Sequence, residues 1–515
     1  MDIFGVVDLP LWLVLICLLG LLFYWYATRP YSLFASLNIP GPKPVPLFGN
    51  LLTETKQGFH VAHQQWLKQY GNIVGFYEGQ HPCMLVADRA MLKEIMVKQF
   101  NSFRNRRPLG RITGYPMSDG IMQQRDEDWK RSRSILTPTF SSAKLKQVCE
   151  LVSVCSDTLV VNSRALAQEG REVELKDHFS AFTLDVIASS AFGLQIDSQS
   201  NPDDNFIKHA KSLTNIKFAG LLFMSYFLVP FVLPVFRLLN LSVAPKQPLD
   251  FFLKVVDHAV KVRQSGEETR TDLLQLMMNA HHEDSGTVEP EDGLSSSLQY
   301  EVKGTRKGLT STEMLAHSVT FFLAGHETTS STMSYVAYNL ALHPQWQDRV
   351  AKEIDEILEQ TLPTYDNVGK LPLLEMCVLE SLRLYPPAVR FEREAADDIV
   401  INGVCIPKNT MVIAPVYAMN RDPDVFPDPD SFQPERFSAE NKCRLGQCDF
   451  MPFGMGPRSC IGMRMAMVET KMGLARMLQN FKFVRSARTQ VPLTFRKSPL
   501  LQPEKGIWLQ LEARK

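Results

Sequence analysis

No charged side chain interrupts the stretch LPLWLVLICLLGLLFYWYA from Leu9 to Ala27, and this divides the chain into a part that belongs in hydrocarbon and a part that does not. As a helix the stretch spans roughly 28 Å, about one hydrocarbon core. A cleavable signal peptide shares the apolar middle, but it also carries a basic lead and a small-residue cleavage site, and this segment has neither. Phe23, Tyr24, Trp25 and Tyr26 crowd its end instead, as amphipathic rings do at a membrane–water boundary. A retained anchor is expected. Asp2 and Asp8 precede it while Arg29 and Lys43 follow, which points the remainder to the cytoplasmic side and predicts that the sequon Asn240-Leu241-Ser242 stays unmodified.

Next comes IPGPKPVPLFGN, where Pro40, Pro42, Pro44 and Pro46 cannot continue a helix, so the chain should leave the membrane as a stiff extended hinge. The expected organisation is an anchor over 1–28, a proline-rich hinge over 29–50 and a catalytic body over 51–515. Within the body, Ile73 to Asp88 holds two β-rich runs around a Gly/Pro turn and reads as a hairpin, whereas most later segments have helical periodicity. The polar stretch from His281 to Gly308 reads as a surface loop between two helices, and no internal repeat is visible. The fold class expected is mainly α with small β-sheets. At 515 residues and 45% hydrophobic, the chain can bury a sizeable core. Lys+Arg 55 balance Asp+Glu 55, so no bulk cationic field attracts nucleic acid. Nine cysteines, an odd number with no framework spacing, indicate a reducing environment.

One cysteine stands apart. FGMGPRSCIGMR, Phe453 to Arg464, holds Cys460 in a glycine-rich, arginine-flanked turn just ahead of an apolar helical run. A thiolate is a soft ligand, and a lone anionic sulfur without partner cysteines suits axial ligation of haem iron better than a zinc cage. Glycines 454, 456 and 462 allow close backbone approach, and N–H groups at a helix start stabilise negative sulfur. A buried, inert cysteine is the structural alternative.

Phe453, Gly456, Arg458, Cys460 and Gly462 fit F-x-x-G-x-R-x-C-x-G at every fixed place, and through that motif the chain resembles the cytochrome P-450 superfamily. The resemblance implies that superfamily's helical haem-thiolate fold behind an N-terminal transmembrane helix. It extends from the proline hinge to LLQPEKGI and includes other landmarks in the family's order. ESLR supplies Glu380 and Arg383 on one helix face, and FQPERF supplies Arg436 as a second guanidinium. By spacing alone the first pair reads as a solvated helix surface; the resemblance implies a structural lock behind the haem. The resemblance also nominates Trp129, Arg133, Arg393, Arg458 and Arg106 to hold the haem propionates.

A long helix is expected from about Thr310 to Ala341, and FFLAGHETTSS within it contains AGHET, similar to the family's oxygen-binding motif. The resemblance implies a hydrogen-bonding role for Thr328 and a proton relay through Glu327, with the glycine letting small ligands near the backbone. A threonine that bonds its own preceding turn and a solvated glutamate are the structural alternatives. His326, His60/His63 and His281/His282 are read as structural. Ala219 to Phe236 is apolar, aromatic and proline-broken; a bilayer dip beside an entry channel and a buried helix pair remain equal readings. Pocket candidates are Leu109, Ile112, Tyr115, Ile121, Phe321, Phe322, Leu323, Ala324, Ala388, Val389, Leu500 and Leu501.

Among subfamilies the chain is similar to the microsomal family 3 enzymes, which oxidise drugs and steroids. The resemblance therefore implies a membrane-anchored monooxygenase of the endoplasmic reticulum with haem b (iron protoporphyrin IX) as cofactor. O2 and lipophilic small molecules would be its substrates. The chain has no G-x-G-x-x-G fingerprint, so electrons from NADPH should arrive through NADPH-cytochrome P-450 reductase, with cytochrome b5 as a further partner. Lys130, Arg131, Lys144, Lys146, Lys442 and Arg444 are the basic residues that would meet such a partner. A peroxide-rearranging isomerase of the thromboxane synthase type and a haem sensor or carrier are the alternatives.

Overall fold

The structure, a computed structural model, describes residues 2–3, 7–8, 10–108, 113, 115–201, 204–214, 227, 245–266, 272–282 and 308–514. The sequon, Leu109, Ile112, residues 283–307 of the polar stretch and all of 219–236 except Phe227 lie outside those residues.

Helix α1, Leu11–Thr28, buries only Ala27; Leu21 is 66% exposed and its neighbours are similar, so among the described residues only its C-terminal end meets the body, where Leu47 N donates to Ala27 O and Gln80 Nε2 to Tyr26 O. With the turns that follow, Leu11–Ser36 is long and apolar enough to cross a membrane. The chain then makes two helical turns, Arg29–Ser32 and Leu33–Ser36, before it straightens from Ile39 to Pro44.

Helix α2 (Phe59–Tyr70) leads to strands β1 (Ile73–Glu78) and β2 (His81–Val86), which pair antiparallel from Ile73↔Val86 to Glu78↔His81 as the expected hairpin. The hinge is strapped to this hairpin. Gly75 N donates to Pro40 O at 2.9 Å, and a Cβ at Gly75 would lie 2.4 Å from the Phe34 ring. Stiff prolines that cannot donate are thus held by their carbonyls, and a buried phenylalanine pins the entry.

Helices α3 (Asp126–Leu136) and α4 (Ser142–Gln168) precede β3 (Glu172–Glu174) and α5 (Leu175–Phe192). The long helix α6 covers Ser311–Leu342, and α7 (Pro344–Leu358) and α8 (Pro372–Leu384) follow it. Strands β4 (Phe391–Glu394) and β5 (Met411–Ala414) complete a four-stranded sheet in the order β1-β2-β5-β4, with β2 and β5 parallel. Helix α9 (Met463–Asn480) runs into β6 (Phe481–Arg485), which pairs with β7 (Trp508–Ala513) and, through it, with β3.

Helix α6 is the axis of the body. It starts on a capping box in which Glu313 N donates to Thr310 Oγ1 (3.1 Å) and Thr310 N donates to Glu313 Oε2 (2.9 Å). It stops before Pro344, whose ring disfavours helix at the preceding residue. Val319, Tyr335, Val336 and Leu340 are all 0% exposed, so several faces of the helix are covered. A helix buried this completely must satisfy its own hydroxyls. Ser318, Thr320, Ser330 and Ser334 do so by donating to the carbonyl four residues back.

The Glu380/Arg383 pair is not a solvated surface. Both side chains are 0% exposed, with Arg383 Nε–Glu380 Oε2 at 2.7 Å and Arg383 Nη2–Glu380 Oε1 at 2.8 Å. Arg383 Nη1 also donates to Asn420 O (2.8 Å) and Pro429 O (2.7 Å), while Gln433 N donates to Glu380 Oε1 (2.8 Å). Arg436 Nε lies 3.5 Å from the same carboxylate. Two charges buried off one helix face therefore tie α8 to the segment 420–436 that leads into the cysteine loop.

Candidate active site

The loop ahead of α9 closes on itself. Cys460 N donates to Phe453 O at 2.8 Å and Ser459 N to Gly456 O at 2.9 Å. Gly456 has φ +71°, and a Cβ there would sit 1.9 Å from the Met96 carbonyl oxygen, so only glycine lets the turn close at this place. Cys460 keeps accessible surface. Burial pushes the thiol pKa up; the Gly462 N–H and the guanidiniums of Arg133 and Arg106 pull the other way and favour thiolate.

Arg106, Arg393 and Arg458 crowd together and form no ion pair among the described residues, although Glu392 acts on the first two and Asp126 on the third from farther off. Arg106 Nη2 donates to Arg458 O (3.2 Å), Arg393 Nη1 to Glu392 O (2.8 Å), and Arg458 to Arg104 O (2.9 Å) and Gln124 O (2.8 Å). Burial, and then the positive neighbours, push Arg393 down to about 9 and Arg458 down to about 8. Arg393 Nε and Arg458 Nη1 are buried with no partner. Arg458 also lies 4.3 Å over the ring of Trp129, which is itself buried against Phe100. Arg133 lies close enough to Cys460 to feel its charge, and burial lowers its pKa. Mutually repelling guanidiniums with orphaned N–H groups need an anion, and the two carboxylates of haem beside a free thiolate donor fit this set.

Phe140 links the loop to α6: it lies 3.6 Å from the Cβ position of Gly462, and its ring is 5.8 Å from that of Phe321. Between Ala316 and Ala341, only Leu323, Ala324, Gly325 and Thr328 escape full burial. Ala324 and Thr328, four residues apart, share one face of this opening. Thr328 Oγ1 donates to Ala324 O at 2.7 Å, so the back-bond is made while the hydroxyl's two acceptor lone pairs stay available. Gly325 serves packing: its Cβ position lies 3.2 Å from Ile187 Cδ1 on α5, not toward the opening.

Glu327 is not solvated. Its Oε2 lies 3.1 Å from Lys176 Nζ, and Gln502 Nε2 donates to its Oε1 at 2.9 Å. Burial alone would raise the carboxyl pKa, but Lys176 first, then His326 and the Gln502 bond, hold it below the ordinary glutamate value. Lys176 and Gln502 escaped the sequence reading because they are 151 and 175 residues from Glu327, and although Gln502 lies within LLQPEKGI nothing in that stretch points to Glu327.

His326 is buried with Nε2 2.6 Å from Ser180 Oγ, and His317 Nδ1 accepts from Ile121 N at 3.1 Å. Burial lowers His60, His178, His317 and His326 to about 4. Unfolding lets them titrate near 6.5, so between pH 6.5 and 4 the unfolded chain binds more protons. Stability is complete above pH 6.5 and is lost as pH falls toward 4. His317→Asn, which keeps an acceptor for Ile121 N, is expected to flatten the fall of Tm over that window. Identical slopes for the two proteins would show that His317 contributes nothing.

The apolar pocket candidates divide. Leu323, Ala324, Ala388 and Leu500 keep accessible surface, whereas Val389 and Leu501 are 1% exposed and belong to the core. Phe322 stacks on Phe192 at 4.2 Å and joins an aromatic cluster with Phe206 and Phe252, so it is core; Phe321 and Ile121 are also buried. Tyr115 is 68% exposed. Among the basic residues, Arg131 is committed to Glu313 (2.5 Å) and Asp128 (3.0 Å) and is 11% exposed, which removes it from any docking patch.

A family model described as Cytochrome P450 matches residues 39–511. Over its full length the chain is 41% identical to cytochrome P450 3A41 of Mus musculus, 42% to cytochrome P450 3A5 of Homo sapiens and 40% to cytochrome P450 3A29 of Sus scrofa. In each case the match covers 99% of the relative.

Proposed function

The chain belongs to the cytochrome P450 family of haem b enzymes, and from that premise we propose a membrane-anchored monooxygenase that inserts one atom of O2 into lipophilic steroids, drugs and other xenobiotics. Electrons come from NADPH through NADPH-cytochrome P-450 reductase, with cytochrome b5 as an auxiliary donor. Residues 1–28 anchor the protein in the endoplasmic reticulum membrane, 29–50 form the hinge, and 51–515 form the cytoplasmic catalytic domain. The observation that carries this reading is an accessible cysteine whose charge reaches Arg106 and Arg133, beside Arg393 and Arg458 with buried N–H groups that find no partner among the described residues.

When bound, haem supplies oxygen activation, with the thiolate's electron donation favouring O–O cleavage. Cys460 provides that sulfur. Arg106, Arg133, Arg393 and Arg458, with the Trp129 N–H, neutralise and orient the propionates, and Phe453 closes the loop that holds the sulfur. Thr328 positions a hydroxyl at the opening, and Glu327 stores and passes protons one residue away. Lys130, Lys144, Lys146, Lys442 and Arg444 form the surface that receives an acidic flavoprotein.

Thr328→Val is expected to lower product per NADPH toward the lower end of the roughly 10²- to 10⁴-fold range that positioned proton donors supply. Thr328→Ser should keep most of it. Equal loss in both variants would assign the effect to packing. The activity itself is tested with the reconstituted protein, reductase, NADPH and labelled O2 over a panel of steroids, drugs and endoperoxides. NADPH-dependent label in the product is the expected result. Unlabelled product from an endoperoxide without NADPH would make the enzyme an isomerase and remove Thr328 from its role.

A further inference from the structure

Glu327 and Thr328 are adjacent in sequence but serve different spaces. Thr328 lies at the opening of α6, whereas the buried Glu327 borders a separate pocket of about 470 Å³ that Lys176, Asp177, Lys211 and Gln502 also line. Two arms hold the carboxylate there. Lys176 is the fixed arm: it sits in the first turn of α5 and also donates to Ser330 Oγ (2.7 Å) and Glu327 O (3.3 Å). Gln502 is the other arm, and it belongs to a different part of the molecule. Its segment runs alongside residues 387–389, with Leu501 N donating to Pro387 O (2.9 Å) and Val389 N to Pro499 O (3.2 Å). Tyr335 of α6 donates to Leu501 O at 2.7 Å and holds the segment from behind.

Leu501 is buried, while Leu500 keeps accessible surface and is bridged to Ala388, which also keeps some. Gln502 follows Leu500 by two residues in the same short segment. An apolar molecule pressed against Leu500 and Ala388 therefore acts on the same short piece of backbone that aims Gln502 at Glu327.

We propose that Gln502 is a positioning residue that couples occupancy of the lipophilic pocket to the Glu327 carboxylate: a substrate against Leu500 and Ala388 shifts the segment, releases the Gln502 bond, and leaves Glu327 tied by one arm instead of two, which lowers the cost of turning toward Thr328. This rests on the monooxygenase reading above for its consequence in turnover, but the linkage itself is a property of the chain. It gives the enzyme a local reason to deliver protons when substrate is present.

The test uses the full-length holoenzyme in lipid vesicles and the infrared carboxylate band of Glu327, identified by its loss in Glu327→Gln. Saturating progesterone is expected to shift that band in the native protein and not in Gln502→Leu. Leu500→Trp, which crowds the segment without any ligand, is expected to shift it as well. A thermal double-mutant cycle should show coupling between Gln502 and Glu327 in the absence of substrate. NADPH consumption in the absence of substrate should rise about threefold or more in Gln502→Leu, the population change that loss of one hydrogen bond brings. A band that ignores both progesterone and Leu500→Trp, or a Gln502→Leu protein that responds as the native one does, overturns the proposal. Failure of the native protein to hydroxylate progesterone while its band still shifts would strike the monooxygenase reading and leave the linkage standing.

Discussion

Glu380→Ala is expected to cost about 3–5 kcal/mol of stability, because it leaves the fully buried guanidinium of Arg383 without its anion. The loss is large for a specific reason. Arg383 keeps its bonds to the carbonyls of Asn420, Pro429 and Ser431, but carbonyl oxygens carry no net charge to offset it. Gln433 N loses its acceptor at the same time, and Arg436 loses the carboxylate 3.5 Å away. Replacing both partners, as in Glu380→Leu/Arg383→Leu, should cost less than the two single changes together, since no uncompensated charge remains. Chemical unfolding of the four proteins decides the matter, and simple additivity would show that the two side chains do not act as a pair. Because the pair ties α8 to the segment before the cysteine loop, haem retention should fall with stability.

Cys460→Ser is expected to abolish the thiolate-type absorbance of the carbon monoxide complex and to lower activity beyond the roughly 10- to 100-fold that loss of an outer-shell partner costs. The substitution is nearly isosteric and leaves the Cys460 N–H bond to Phe453 O intact, so circular dichroism should be unchanged. Burial disfavours the thiolate at several of the other cysteines, pushing Cys149 up to about 11 and Cys155 up to about 12 and raising Cys83 and Cys377 further. A thiolate-type spectrum that survived Cys460→Ser would force the ligand to be one of the other eight cysteines.

Much of the architecture could be read from local pattern. The hairpin at 73–86, the α6 helix within a residue of its expected ends and the uncharged α1 follow from periodicity, turn residues and a capping box, all set by neighbours in the chain. The cysteine loop was legible for the same reason: Phe453, Gly456, Arg458, Cys460 and Gly462 lie within a single turn, and their spacing is their function. Arg106, Trp129, Arg133 and Arg393 were reachable only through family resemblance. Nothing in their local sequence says that four distant segments meet, and the meeting is visible in the orphaned N–H groups and depressed pKa values that result.

Local reading failed where a side chain's partner was remote. Glu380 and Arg383 at three-residue spacing suit a wet surface, and burial by the 420–436 segment reverses that. Arg131 suits a docking patch until Glu313 claims it. Gly325 meets α5, and Phe322 points into an aromatic core, because helix rotation is decided by packing. Residues a few positions apart are enough to specify the apolar N-terminal helix, the helical body and the glycine-rich cysteine turn. Only the tertiary structure decided which charges are neutralised, which faces of α6 stay open and what holds Glu327. Those outcomes depend on burial and on contacts made across more than a hundred residues, and burial changes the energy of a charge far more than any neighbour in sequence does.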